Sequence, residues 1–205
     1  MNLLQNLFMK KAAPLVTPAP TATLGTPVII NAPVVKNNPM STITIGTDYQ
    51  LSTNFTFGML VATEHREYIA KNFEEGKQYV ENMRLLCKTV LEPVIEILGI
   101  VPHINSCFRF PELNKSVGGS TTSQHMIAEA ADTTYGKMNL HEAFNKIAFS
   151  AAKKIPFSQI IFEFNSWIHL GVIDPVRYPG KVAQILTTGK DAEGKTIYIP
   201  VKKPL

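Results

Sequence analysis

The chain has 205 residues, 45% of them hydrophobic and 18% charged, a balance that can bury one core and is neither that of a disordered chain nor of a membrane-spanning one. No run approaches the ~20 consecutive apolar residues that cross a bilayer. Of the net charge of +4, three units come from Lys10, Lys11 and Lys36, since no Asp or Glu precedes Asp48; the near-balanced remainder argues against the clustered basic face of a nucleic-acid-binding domain.

Residues 1 to about 45 hold six of the fourteen prolines and no acid. Proline fixes its own φ and biases its predecessor toward extended backbone, so this stretch is expected to be a semi-stiff tail or linker, with the folded domain over 46–205. Within it, Leu3, Leu4, Leu7 and Phe8 precede Lys10 and Lys11 at helical spacing. That pattern suits a short amphipathic anchor for a virion or membrane partner through residues 1–40, or equally a frayed tail with a few apolar residues. The charges follow the apolar run, the reverse of a secretory signal peptide, so none is expected.

From Phe55 the pattern is compact. Apolar residues recurring at threes and fours from Tyr79 through Met83, Leu86, Val90 and Val94 to Leu98 predict a helix over about 75–98, stopped at Gly99. A strand over 100–108 follows, then a Gly/Ser/Thr/Asn-rich functional loop over 111–124. A second helix is predicted over about 140–153 with Asn139 as its cap. Strands are expected over 159–164 and 167–172, joined at Asn165-Ser166, and a C-terminal hairpin pairs 182–187 with 195–201. Cys87 and Cys107 read as reduced, half-buried thiols rather than a disulfide. No internal repeat is present.

Catalytic zinc sites draw three ligands from His and carboxylate and leave one position open. Two of the five histidines sit in contexts that converge. His125 closes the loop Gly118-Gly-Ser-Thr-Thr-Ser-Gln124 and is followed seven residues later by Asp132. His169 lies in the predicted strand, where alternation puts it on one face with Trp167. Glu163 sits in the apolar run Ile160-Ile-Phe-Glu-Phe164, where a carboxylate must be paired, hydrogen-bonded or face a cleft. His65 and His141 flank helices and are expected at the surface, and His103 is expected to be structural.

Read together, Ser106-Cys-Phe-Arg-Phe110, Asn114-Lys-Ser-Val-Gly-Gly119, Ser123-Gln-His-Met-Ile-Ala-Glu-Ala-Ala-Asp132 and Trp167-Ile-His169 resemble the zinc D-alanyl-D-alanine carboxypeptidase family. Its pattern runs Ser-x-x-Arg, Asn-x-x-Val-Gly-Gly, Ser-x-His-x-x-Gly-x-Ala-x-Asp, then Trp-x-His. The likeness covers about residues 50–175. It implies an α+β fold of hedgehog/DD-peptidase type, with an antiparallel sheet carrying the zinc cleft on one face and helices on the other. It also implies zinc held by His125, Asp132 and His169, Glu163 as general base, Arg109 stabilising an oxyanion or holding a substrate carboxylate, and Ser123 near the metal as a substrate contact. The implied substrate is the peptidoglycan stem peptide, cut as a D-Ala-D-Ala carboxypeptidase or L-Ala-D-Glu endopeptidase would cut it, on a bacterial cell wall during phage entry or lysis. Ala128 departs from the pattern's glycine; if that position has positive φ, alanine strains the loop by about 1 kcal/mol or more. The alternatives are a binding protein that keeps the zinc fold without catalysis, as hedgehog-type relatives do, and a virion structural protein.

Overall fold

The computed structural model describes residues 44–151 and 155–205. The tail expected over 1–45, with its amphipathic segment, lies almost wholly outside the described residues.

After the short helix α1 (Phe57–Val61), the chain is helical from Ile69 to Leu98. This stretch comprises α2 (Ile69–Gly76), a 3-10 turn, α3 (Val80–Leu86), a π-helical turn (Cys87–Leu91) and α4 (Glu92–Leu98). It begins six residues earlier than the apolar periodicity predicts. Gly76 does not break it because it sits under Val61, Phe108 and Phe57, where an added Cβ would lie 2.6 Å from Val61 Cγ1. The π turn falls just before Pro93. Proline cannot donate to the carbonyl four residues back and its ring crowds that carbonyl, so the helix widens there instead of stopping. Gly99, at φ 67°, ends the helix in the left-handed conformation that glycine tolerates.

Strand β1 (His103–Ser106) is shorter than expected, and the predicted loop over 111–124 contains a helix, α5 (Pro111–Ser116), started by proline at its first turn. Strand β2 (Ala130–Thr134) follows. Helix α6 (Leu140–Asn145) is capped as predicted, with Asn139 Oδ1 accepting from Glu142 N at 3.2 Å, and continues as a π-helical turn to Ala151. Strands β3 (Phe157–Glu163) and β4 (Trp167–Val172) form a hairpin whose central residues Phe164 and Asn165 have φ of 53° and 54°, the positive values that match strand twist. The C-terminal hairpin is β5 (Gln184–Lys190) with β6 (Thr196–Pro200).

These six strands form one sheet in the order β1-β2-β4-β3-β5-β6. It is mixed rather than wholly antiparallel, because β5 runs parallel to β3. Residues 173–183 carry the chain past the start of β3 at one end of the sheet, so β5 must oppose β4 and therefore follow β3. Alternation gives the sheet two faces. Ala131, Ile160, Phe162, Ile168, Leu170 and Val172 point to the core with Met83, Leu86, Val90, Val94 and Phe144 from the helices. Each of these side chains larger than alanine contributes about 1.5–3 kcal/mol on burial, so packing outweighs the ~1 kcal/mol of the Asn139 cap. Both cysteines are free and fully buried in this core, not half-buried.

Candidate metal centre

The opposite face carries Asp132, His169, Ile161 and Glu163. Asp132 pairs directly with His169 across β2 and β4, and His169 with Ile161 across β4 and β3. Glu163 is therefore one same-face step further along β3, roughly 7 Å at strand rise, where it pairs with Trp167. His125 reaches this face from a 3-10 turn (Gln124–Ile127) whose cap, Ser123, accepts from His125 N through its Oγ at 3.3 Å. The turn lies close over β4 because residue 171 is glycine; a Cβ there would stand 2.6 Å from Gln124 Oε1. Asn82 Nδ2 donates to Ile127 O at 2.7 Å, tying the turn to α3.

Three ligand atoms meet here. His125 Nε2 lies 3.2 Å from His169 Nδ1 and 3.3 Å from Asp132 Oδ1, and His169 Nδ1 lies 3.0 Å from the same oxygen. All three residues are buried. His125 Nδ1 donates to Cys107 O at 2.7 Å, so in the neutral ring Nε2 carries a lone pair. Burial, first among its surroundings, pulls His125 below the ordinary histidine value and so favours that neutral ring. Burial opposes the charge of Asp132, but the two facing imidazoles pull it well below the carboxylate range. Three electron-pair donors thus converge on one point with at most one proton to share, a cation's environment. The 3.0–3.3 Å triangle is close to the roughly 3.3 Å spacing of tetrahedral ligands bonded at ~2.0–2.1 Å. His169 Nε2 is buried with no hydrogen-bond partner among the described residues. The residues present fit a metal ion.

Glu163 is half-buried, and its Oε2 accepts from Trp167 Nε1 at 3.0 Å. Burial raises its carboxyl above the ordinary value, and Asp132 adds to the rise while His169 opposes it. Arg109 places Nη2 3.8 Å from Asp132 Oδ2, with its Nε buried and unpartnered among the described residues. Its backbone N donates to His125 O at 3.1 Å. Ser123, His125, Asp132, Glu163 and His169 line one cleft with Arg109, so all six residues predicted from the sequence are brought together. Toward β1 the open surface continues past Arg109, Asp132 and Trp167 to Thr63, His65, His103 and Asn105. His65 and His141 are exposed as expected, but His103 is exposed on the cleft wall rather than structural.

Two contributors escaped the sequence. Asn72 is fully buried, donates through Nδ2 to Val61 O at 2.8 Å and Phe108 O at 2.9 Å, and accepts from Phe110 N at 3.1 Å. It clamps the segment that presents Arg109 and the Cys107 carbonyl. Trp167 is a face neighbour of His169 and part of the Trp-x-His motif in the sequence, but that its indole orients Glu163 comes only from the structure. A helix position occupied by asparagine on the apolar side is the one local signal that could have flagged Asn72.

The chain matches the family described as Peptidase M15 over residues 61–171, more than half its length. No curated protein matches it. The chain belongs to the peptidase M15 family.

Proposed function

We propose that this member of the peptidase M15 family is a zinc-dependent hydrolase of amide bonds in peptidoglycan stem peptides. The observation that carries the reading is the triangle of His125 Nε2, Asp132 Oδ1 and His169 Nδ1, with sides of 3.0–3.3 Å, beside a half-buried glutamate. These three residues would hold the ion, and Ser123 supports His125 from the cap of its turn.

Bound there, zinc supplies Lewis acidity, polarising a scissile carbonyl and making water acidic enough to attack near neutral pH. Glu163 takes the attacking water's proton and returns it to the leaving amine. Its raised carboxyl value suits both transfers, since a base that is too weakly basic releases its proton before the amine leaves. Trp167 holds Oε2, and Oε1 has no hydrogen bond among the described residues. Arg109 stays charged and near Asp132, where it stabilises negative charge developing on the carbonyl oxygen or holds a substrate carboxylate. The cleft runs past the centre on both sides, toward β1 and toward β5 and β6. That favours an internal amide, as an endopeptidase cuts, over the closed end that a carboxypeptidase needs. Residues 1–40 are proposed to tether the hydrolase to a virion or membrane during cell-wall entry or exit; unchanged particle association after their deletion would refute this.

The test is mass spectrometry of muropeptides digested by the wild type and by Glu163→Gln, with metal content measured on both. The glutamine variant can still accept from Trp167, so it is expected to keep one zinc per chain and lose about 10²–10⁴-fold in rate, while His125→Ala loses both. Cleavage by Glu163→Gln at the wild-type rate refutes the assignment of the base. No amine release by the wild type refutes the peptidase reading.

A further inference from the structure

The chemistry above leaves one part of the cleft unused. Strands β5 and β6 lie beyond the matched residues 61–171, yet they continue the cleft face of the sheet. Paired residues share a face, so the register Ile161↔Leu186↔Pro200 prolongs the row that holds Asp132 and His169. Continuing Phe162↔Thr187 by one residue sets Thr188 opposite Glu163, and Thr188 pairs with Tyr198. Phe164 N donates to Thr188 Oγ1 at 2.8 Å, which pins that alignment. Trp167, Glu163, Thr188 and Tyr198 therefore form one transverse row.

At about 4.8 Å between strands, the Tyr198 backbone stands roughly 10 Å from that of Glu163, on the side away from Trp167. Tyr198 lines the same cleft as Glu163, Ser123 and His169. The residue is 54% exposed and makes no side-chain hydrogen bond among the described residues. Partial burial, then the negative charges of Glu163 and Asp132, push its hydroxyl up, so it stays a neutral donor at working pH. An aromatic ring with an unengaged donor, facing a catalytic cleft from an edge strand, has the character of a ligand contact. The opposite face of the same strand presents Ile197 and Ile199, and Ile199 packs on Gly189, so only the Tyr198 side of β6 lines the cleft.

We propose that the C-terminal hairpin is the substrate-binding arm of this site and Tyr198 its contact residue. The phenol O–H donates to a carbonyl or carboxylate of the stem peptide on the Glu163 side of the scissile amide, and the ring covers that segment's alanine methyl. This rests on the peptidase reading given above.

The experiment measures KM and kcat on purified muropeptides for the full-length wild type, Tyr198→Phe, Tyr198→Ala and the opposite-face control Ile197→Ala. Tyr198→Phe is expected to raise KM by about 2- to 10-fold, the worth of one hydrogen bond, with kcat within about twofold and zinc content unchanged. Tyr198→Ala, which removes the ring as well, is expected to lower kcat/KM by about 10- to 100-fold. A muropeptide trimmed on that side of the cleaved bond should show almost no difference between wild type and Tyr198→Phe. The proposal is overturned if Tyr198→Ala keeps the wild-type KM, or if Ile197→Ala raises KM as much, which would make the hairpin a structural element only. A wild type that releases no amine from these peptides instead refutes the peptidase reading, and this proposal falls with it.

Discussion

Replacing Arg177 with methionine tests how the segment carrying His125 and Asp132 is held. Glu129, between His125 and Asp132, is only 1% exposed, with Oε1 paired to Arg177 Nη1 and Oε2 unpartnered among the described residues. Its backbone joins both neighbours of the site, as Glu129 N donates to Gln124 O at 3.0 Å and Val172 N donates to Glu129 O at 2.9 Å. Arg177→Met keeps much of the apolar stem and strands the carboxylate. Breaking a buried pair costs about 3–5 kcal/mol, but here there is a ceiling, because Glu129 can take a proton. From its ordinary value of 4.5 to pH 7 that costs about 3.4 kcal/mol, at 1.36 kcal/mol per unit. Arg177 is 43% exposed, and solvent already screens part of the pair, so about 1–3 kcal/mol is expected at pH 7.

The pH dependence gives the sharper signature. Burial raises Glu129 above its ordinary value even with Arg177 opposing, and removing Arg177 raises it further. A carboxyl whose folded value exceeds its unfolded one binds more protons in the folded state, so its contribution to stability falls as pH rises above about 4.5. The variant's deficit should therefore shrink toward the ceiling of about 0.7 kcal/mol at pH 5. Urea unfolding of both proteins from pH 5 to 8 measures it, and adding Glu129→Gln should recover most of the loss at pH 7. A deficit that is flat across this range, or that grows as pH falls, refutes the reasoning.

Ala128 sits at φ 55° and is fully buried, so the strain expected from the sequence is present. Relief of about 1–2 kcal/mol in Ala128→Gly is offset by about 0.5–1 kcal/mol of backbone entropy and about 0.8 kcal/mol of lost methyl burial. Denaturant midpoints should place the variant within about 1 kcal/mol of wild type, whereas Ala128→Val, branched and larger, should lose more than about 2 kcal/mol. Glu92 is held below its ordinary value. Burial works against its charge, but hydrogen bonds from Ser52 Oγ at 2.7 Å, Asn54 N at 2.8 Å and Asn54 Nδ2 at 2.7 Å outweigh it. Its stabilisation is thus complete above about pH 4.5 and is lost as pH falls through the lower folded value. Melting temperatures between pH 3 and 7 should show Glu92→Gln about 1 kcal/mol less stable at pH 7, with a flatter acid limb than wild type; parallel limbs would exclude Glu92 as the source.

Sequence patterns revealed what depends on spacing along one strand or on a motif. The faces of β3 and β4, the Asn139 cap and the meeting of His125, Asp132 and His169 fall in that class. Period-two alternation places Trp167 and His169 together whatever lies beside them. Strand order is a different quantity. That β5 lies beside β3, parallel to it, follows from how residues 173–183 cross one end of the sheet, and no local pattern there encodes it. The same is true of Asn72 and of Glu129 with Arg177, whose partners are 36 and 48 residues away. The wide turn at Cys87–Leu91 was hidden for another reason, since Pro93 announces a disturbance but not whether the helix ends or swells.

The sheet separates the tasks by position. Two of the three proposed ligands, Asp132 and His169, come from β2 and β4, interior strands paired at those residues, where neighbours on both sides fix side-chain geometry to the tolerance a metal needs; the third, His125, comes from the 3-10 turn before β2. The proposed base, Glu163, comes from β3, one strand out, with Trp167 to hold it. The residues proposed to meet a substrate, Tyr198 foremost, sit on the half-exposed pair β5 and β6 at one end of the sheet. Substitutions at Tyr198 can change which peptide is held without disturbing the ion, because β5 and β3 stand between its strand and His169 in the sheet. This arrangement predicts opposite failures from neighbouring rows of one sheet: changes at Asp132 or His169 remove metal and turnover together, whereas changes at Tyr198 alter selectivity with the metal retained.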